Sequence, residues 1–168
     1  MTPQYRTLLH GLMTMFYLRA TIDIKGRENL PPGPAILATN HLSNWDPVAL
    51  GMALLHMQFS ALGKRELFEL PLLGRLAYWT GGIPVDRGAV SRETIKACCQ
   101  CLAGGTSLLI LPEGTRSRTR TMNEGKLGIV LIAQLARVPI VPIGVWGTED
   151  MGTILRGPFR RAQVHVNI

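Results

Sequence analysis

The sequence predicts an α/β fold: a mixed, largely parallel sheet flanked by helices. Three observations carry this. Short apolar runs of strand length alternate with segments of helix length from about residue 21 onward. The central runs, 35–38 and 107–111, are apolar nearly throughout, as strands buried on both faces are. No internal repeat, low-complexity tract or linker interrupts them, and 168 residues suit one domain with a proper core.

Residues 8–18 are apolar-rich and flanked by Arg6 and Arg19. They read as an interfacial helix lying on a bilayer, or equally as a helix packed on the domain's own core. No run of 18 apolar residues reads as a membrane span, and no cleavage pattern marks a signal peptide. Residues 1–20 are therefore expected to be a membrane-interfacial helix and residues 21–168 the main domain. Residues 21–25 alternate as a strand that Gly26 ends. The Pro31-Pro32-Gly33-Pro34 turn feeds a buried strand at 35–38. The next helix is expected to begin at Pro47, with Asp46 as its N-cap, because Pro lacks the N–H that a first helical residue leaves unbonded.

Residues 58–62 read as a second buried strand, followed by Lys64-Arg65-Glu66-Leu67, and residues 71–79 as a short helix broken by Gly81-Gly82. Residues 83–85 are short and apolar and lead into Asp86-Arg87. A helix is expected over 92–103, stopped by Gly104-Gly105. The most strand-like run, 107–111, ends at Pro112-Glu113-Gly114-Thr115-Arg116-Ser117-Arg118. A helix at 125–136 and strands at 139–145 and 163–168 complete the series, and the last stops in mid-register, as a truncated chain would.

Composition narrows the function. Eighteen basic residues against eleven acidic ones leave a net charge of +7, which favours an anionic partner. Aromatic residues are 6% and do not interleave with basic ones, so nucleic acid is set aside in favour of a phosphorylated substrate or anionic lipid. Cys98, Cys99 and Cys101 crowd into four positions; they read as small apolar residues of a helix in a reducing compartment, with no metal site.

The chemistry gathers after the strands. Residues five apart on a helix point about 140° away from each other. His41 and Asp46 therefore cooperate only across a turn, which Ser43 and Asn44 suit. Such a pair supports general-base catalysis on a substrate hydroxyl, the carboxylate fixing the imidazole tautomer. Taken alone, the pair reads more readily as a surface histidine beside an N-cap aspartate. Arg87, Arg116 and Lys64 also follow strands and suit phosphate binding, while Gly114 lets backbone approach a ligand. Singly these are solvated basic groups; together they outline one rim at the carboxyl edge of a sheet.

Four blocks, in order, carry a resemblance: Asn40-His41-Leu42-Ser43-Asn44-Trp45-Asp46, Gly82-Ile83-Pro84-Val85-Asp86-Arg87, Pro112-Glu113-Gly114-Thr115-Arg116-Ser117, and Val138-Pro139-Ile140-Val141-Pro142-Ile143. The sequence resembles the glycerolipid acyltransferases, in particular the 1-acylglycerol-3-phosphate acyltransferase family, from about residue 24 to 145. The resemblance implies a glycerol-3-phosphate acyltransferase-like fold. It implies that His41, held by Asp46, deprotonates the hydroxyl of 1-acylglycerol-3-phosphate for attack on acyl-CoA or acyl-carrier protein, giving phosphatidic acid. Arg87 and Arg116 would bind the acceptor phosphate, and Glu113, Gly114 and Thr115 would shape its site, with Lys64 on the same rim. No cofactor or metal is implied beyond the acyl-donor co-substrate, and a peripheral place on the cytoplasmic face of a membrane is expected. Another lyso-lipid acceptor, or a non-catalytic lipid-binding subunit, is the alternative; the intact His41 and Asp46 count against the subunit.

Overall fold

The computed structural model describes residues 3–71, 73–86, 91–117, 119–154 and 161–168. Among the described residues, seven strands form one sheet: β1 (Ala20–Lys25), β2 (Ile36–Thr39), β3 (Phe59–Lys64), β4 (Ile83–Val85), β5 (Ser107–Ile110), β6 (Ile140–Trp146) and β7 (Ala162–Asn167). Their spatial order is β1-β7-β6-β2-β5-β3-β4. The five strands from β6 to β4 are mutually parallel, whereas β7 runs antiparallel to β6 and β1 parallel to β7. The sheet is thus mixed and largely parallel, as expected.

The helices are α1 (Pro3–Arg19), α2 (Asp46–Ala53), α3 (Arg65–Phe68), α4 (Leu73–Trp79), α5 (Arg92–Ala103), α6 (Gly128–Ala136) and α7 (Met151–Ile154). Successive strand residues face opposite sides, so each side of the sheet has its own core. Leu37 and Leu109 pack with Leu50 and Leu54 near α2 and with Phe16 of α1. Ile36, Leu108 and Ile110 pack on Cys98 and Leu102 of α5 and Ile132 of α6. Helices α1 and α6 therefore lie on opposite faces.

Several expected boundaries move, each for a non-local reason. Strand β3 runs on to Lys64 because β4 pairs with it, Leu62 opposite Ile83 and Lys64 opposite Val85. Helix α6 starts at Gly128 rather than 125, because the Lys126 N–H donates to the Pro112 carbonyl at 2.9 Å and ties that stretch to the loop after β5. Helix α2 starts one residue early, with Trp45 at the N-cap position. Asp46 is not the cap: its carboxylate accepts from Leu42 and Ser43, behind the helix, instead of from the first turn. Helix α5 occupies the expected residues, with the Ser91 hydroxyl accepting the Thr94 N–H.

Among the described residues, no helix is long and apolar enough to cross a membrane. The C-terminal end of α1 is packed on the domain's core: Phe16 is fully buried, its ring centroid 6.4 Å from that of Trp45.

Candidate active site

Because β6, β2, β5, β3 and β4 are parallel, the segments after them emerge at one edge. Asn40 closes β2 onto β6: its Nδ2 donates to the Val145 carbonyl at 2.7 Å, and the Val145 N–H donates to its Oδ1 at 2.8 Å. The chain then turns through 41–45, where Ser43 Oγ accepts from the Trp45 N–H and the Ser43 carbonyl from the Asp46 N–H.

That turn brings His41 and Asp46 together. His41 Nδ1 lies 2.8 Å from Asp46 Oδ2. The same oxygen accepts the Leu42 and Ser43 N–H groups, each at 2.8 Å. Its partner Oδ1 accepts the Thr148 hydroxyl. A carboxylate is acceptor-only, and all four neighbours donate, so the ring proton belongs on Nδ1. Nε2 is left as the basic nitrogen. Asp46 is fully buried, while the His41 side chain keeps 20% of its surface exposed. The carboxylate is thus fixed and the imidazole reachable, the division of roles that a general base with an orienting acid requires.

The loop after β5 grips His41 from the other side. Glu113 is buried; its Oε1 accepts the His41 N–H at 2.9 Å, and its Oε2 accepts both the Asn123 N–H and Nδ2. The Ser117 N–H donates to the His41 carbonyl at 2.7 Å. Both polar groups of the His41 peptide unit are therefore anchored. Glu113 shapes the site from within the protein, while Thr115 and Arg116 remain exposed. Gly114 takes a left-handed φ of +64°, which sets the turn between them. Leu42, Thr115, Arg116 and Ser117 line a cavity of about 210 Å³ beginning one residue from His41.

The remaining expected site residues are more dispersed. Lys64 ends β3 at the same edge, exposed, with β5 between its strand and that of His41. Arg87 lies outside the described residues. Its neighbour Asp86 is an ion partner: Arg65 Nη2 donates to Asp86 Oδ2 at 2.9 Å and Nε to Oδ1. That bidentate bond lowers the Asp86 carboxyl from its usual range and raises the Arg65 guanidinium, pinning the end of β4 to that of β3. Thr148, Asn123 and Asn40 were not expected. Only Asn40, inside a quoted block, carried a local signal.

A protein-family model described as "Acyltransferase" matches residues 21–146, three quarters of the chain. The chain belongs to the acyltransferase family. Among its relatives, a 1-acyl-sn-glycerol-3-phosphate acyltransferase of Bacillus subtilis is 31% identical across 87% of this chain and 73% of the relative. The Chlamydomonas reinhardtii protein of that description is 37% identical across 77% of this chain and 40% of its own length. A chloroplastic one of Brassica napus is 30% identical across 98% of this chain and 51% of its own length. This acyltransferase-family chain thus spans about half the length or less of several curated relatives. The 1-acyl-sn-glycerophosphate (LPA) acyltransferase PlsC of Thermotoga maritima shares its fold, with a TM-score of 0.71 over 99% of this chain and 70% of that one at 22% identity.

Proposed function

We propose that this chain transfers a fatty acyl group from a thioester, acyl-CoA or acyl-carrier protein, to the free hydroxyl of 1-acylglycerol-3-phosphate. The buried Asp46 holding a reachable His41 beside the Arg116 cavity carries this reading. His41 Nε2 takes the hydroxyl proton as the oxygen attacks the thioester carbonyl carbon. Asp46 stabilises the imidazolium. The tetrahedral intermediate collapses with loss of the sulfur leaving group, which takes the proton back from His41. The products are phosphatidic acid and a free thiol. Arg116, with Arg87, binds the acceptor phosphate, and Thr115 contributes a hydroxyl at the same wall. Relatives named for this acceptor support the choice over other lyso-lipids.

His41→Ala is expected to lower thiol release at least ~10³-fold while the acceptor still binds, because binding groups remain and only the base is gone. Release is read with a thiol reagent and acceptor binding by calorimetry. Normal turnover in the variant defeats the assignment, as does a wild-type chain silent with every donor and acceptor pair.

A further inference from the structure

Helix α6 is apolar on both sides. Its inner residues Ile129, Ile132 and Ala133 pack on the sheet. Leu127, Leu131 and Leu135, spaced four apart on the outer side, stand 81%, 44% and 59% exposed. A four-residue step turns only about 40° on a helix, so these three make one stripe about 12 Å long. A helix greasy on its outer side is covered by protein or sits against a membrane.

The surroundings favour the membrane. Residues 114–137 hold five basic groups, Arg116, Arg118, Arg120, Lys126 and Arg137, against one acidic, Glu124. The described ones are exposed, with Arg120 also paired to Asp150. Exposed leucines bordered by basic side chains are the composition of an interfacial helix on anionic lipid. The stripe also begins where the site ends: the Lys126 side chain lies against Gly114, and Leu127 follows it.

We propose that the outer face of α6, with the basic loop before it, docks this protein on an anionic lipid surface, so that the Arg116 cavity opens beside the headgroups. This rests on the acyltransferase reading, since a lipid acceptor is what makes that orientation useful. The exposed Tyr17 and Leu18 of α1 belong to the opposite side of the sheet and offer the rival face.

The test is sedimentation of the full chain with vesicles of phosphatidylcholine alone or mixed with phosphatidylglycerol. Wild type is expected to bind the anionic vesicles at least tenfold more tightly, weakening with salt. Leu131→Glu with Leu135→Glu is expected to reduce that binding at least tenfold, and Leu127→Glu, outside the helix proper, to reduce it severalfold, with unchanged melting temperatures. Leu18→Glu is expected to bind normally. The α6 variants keep wild-type thiol release on a short-chain, water-soluble acceptor. Undiminished vesicle binding by the α6 variants overturns the proposal, as does loss of binding in Leu18→Glu alone. A wild-type dimer that the α6 substitutions dissociate without affecting vesicle binding also overturns it and assigns the stripe to a second copy. Wild type that binds vesicles but releases no thiol with any donor and acceptor defeats the acyltransferase reading and leaves the docking result standing.

Discussion

A hydroxyl 102 residues away completes the partners of Asp46. Thr148 is fully buried, and its bond to Oδ1 leaves the other oxygen to His41 and the Leu42 and Ser43 N–H groups. Removing it leaves a buried carboxylate oxygen without that donor and frees the acid to rotate, a loss of about 1.5–3 kcal/mol for a bond to a charged group. Thr148→Val is therefore expected to lower kcat ~10-fold with acceptor KM unchanged, and Thr148→Ser to restore it, in steady-state thiol release. A purely structural role would instead show as the same lost stability in urea unfolding with kcat unchanged. Buried Cys98 makes the opposite case. Burial pushes its thiol up to about 12, so it stays protonated at neutral pH and serves as packing, as its apolar neighbours imply.

At the scale of elements, the turn after β6 decides whether Thr148 arrives. Gly147 holds φ at +86°, and a Cβ there would lie 1.8 Å from the Gln163 carbonyl oxygen of the neighbouring strand end. Both the left-handed backbone and the contact forbid a side chain. Gly147→Ala is expected to cost more than about 2 kcal/mol in urea unfolding, with activity falling further because the Thr148 hydroxyl is displaced. Elements whose ends are set locally were legible: α5 between Ser91 and Gly104, and β5 as a wholly buried run. The start of α6 was not, because Lys126 bonds to Pro112 rather than to its own helix.

Across the whole molecule, stability should follow position in the sheet. Strand β2 is paired on both sides, to β5 and β6, and lies between two cores. Strand β4 is three residues long, half-buried and at an edge. Amide hydrogen exchange is expected to be slowest in β2 and β5 and to open first at β4, as followed by mass spectrometry of peptides. The same arrangement puts the segments after β2, β5, β3 and β6 on one rim. Alternation of strands and helices had predicted that common rim, because parallel strands joined by crossover helices all point the same way. The reversal of β7 and β1 had no counterpart in the pattern, since an alternating strand reads the same in either direction.

The sequence by itself determined the alternating elements, the turn that brings His41 to Asp46, and the placing of Glu113 to Arg116 after a buried strand. These follow from periodicity and turn chemistry acting over a few residues. The tertiary structure alone decided that Thr148 completes the Asp46 carboxylate and that Glu113 clamps the His41 peptide with Asn123. It also decided that α1 and α6 look out from opposite faces. Those outcomes depend on which strands become neighbours, and strand order is fixed by contacts between residues far apart in the chain.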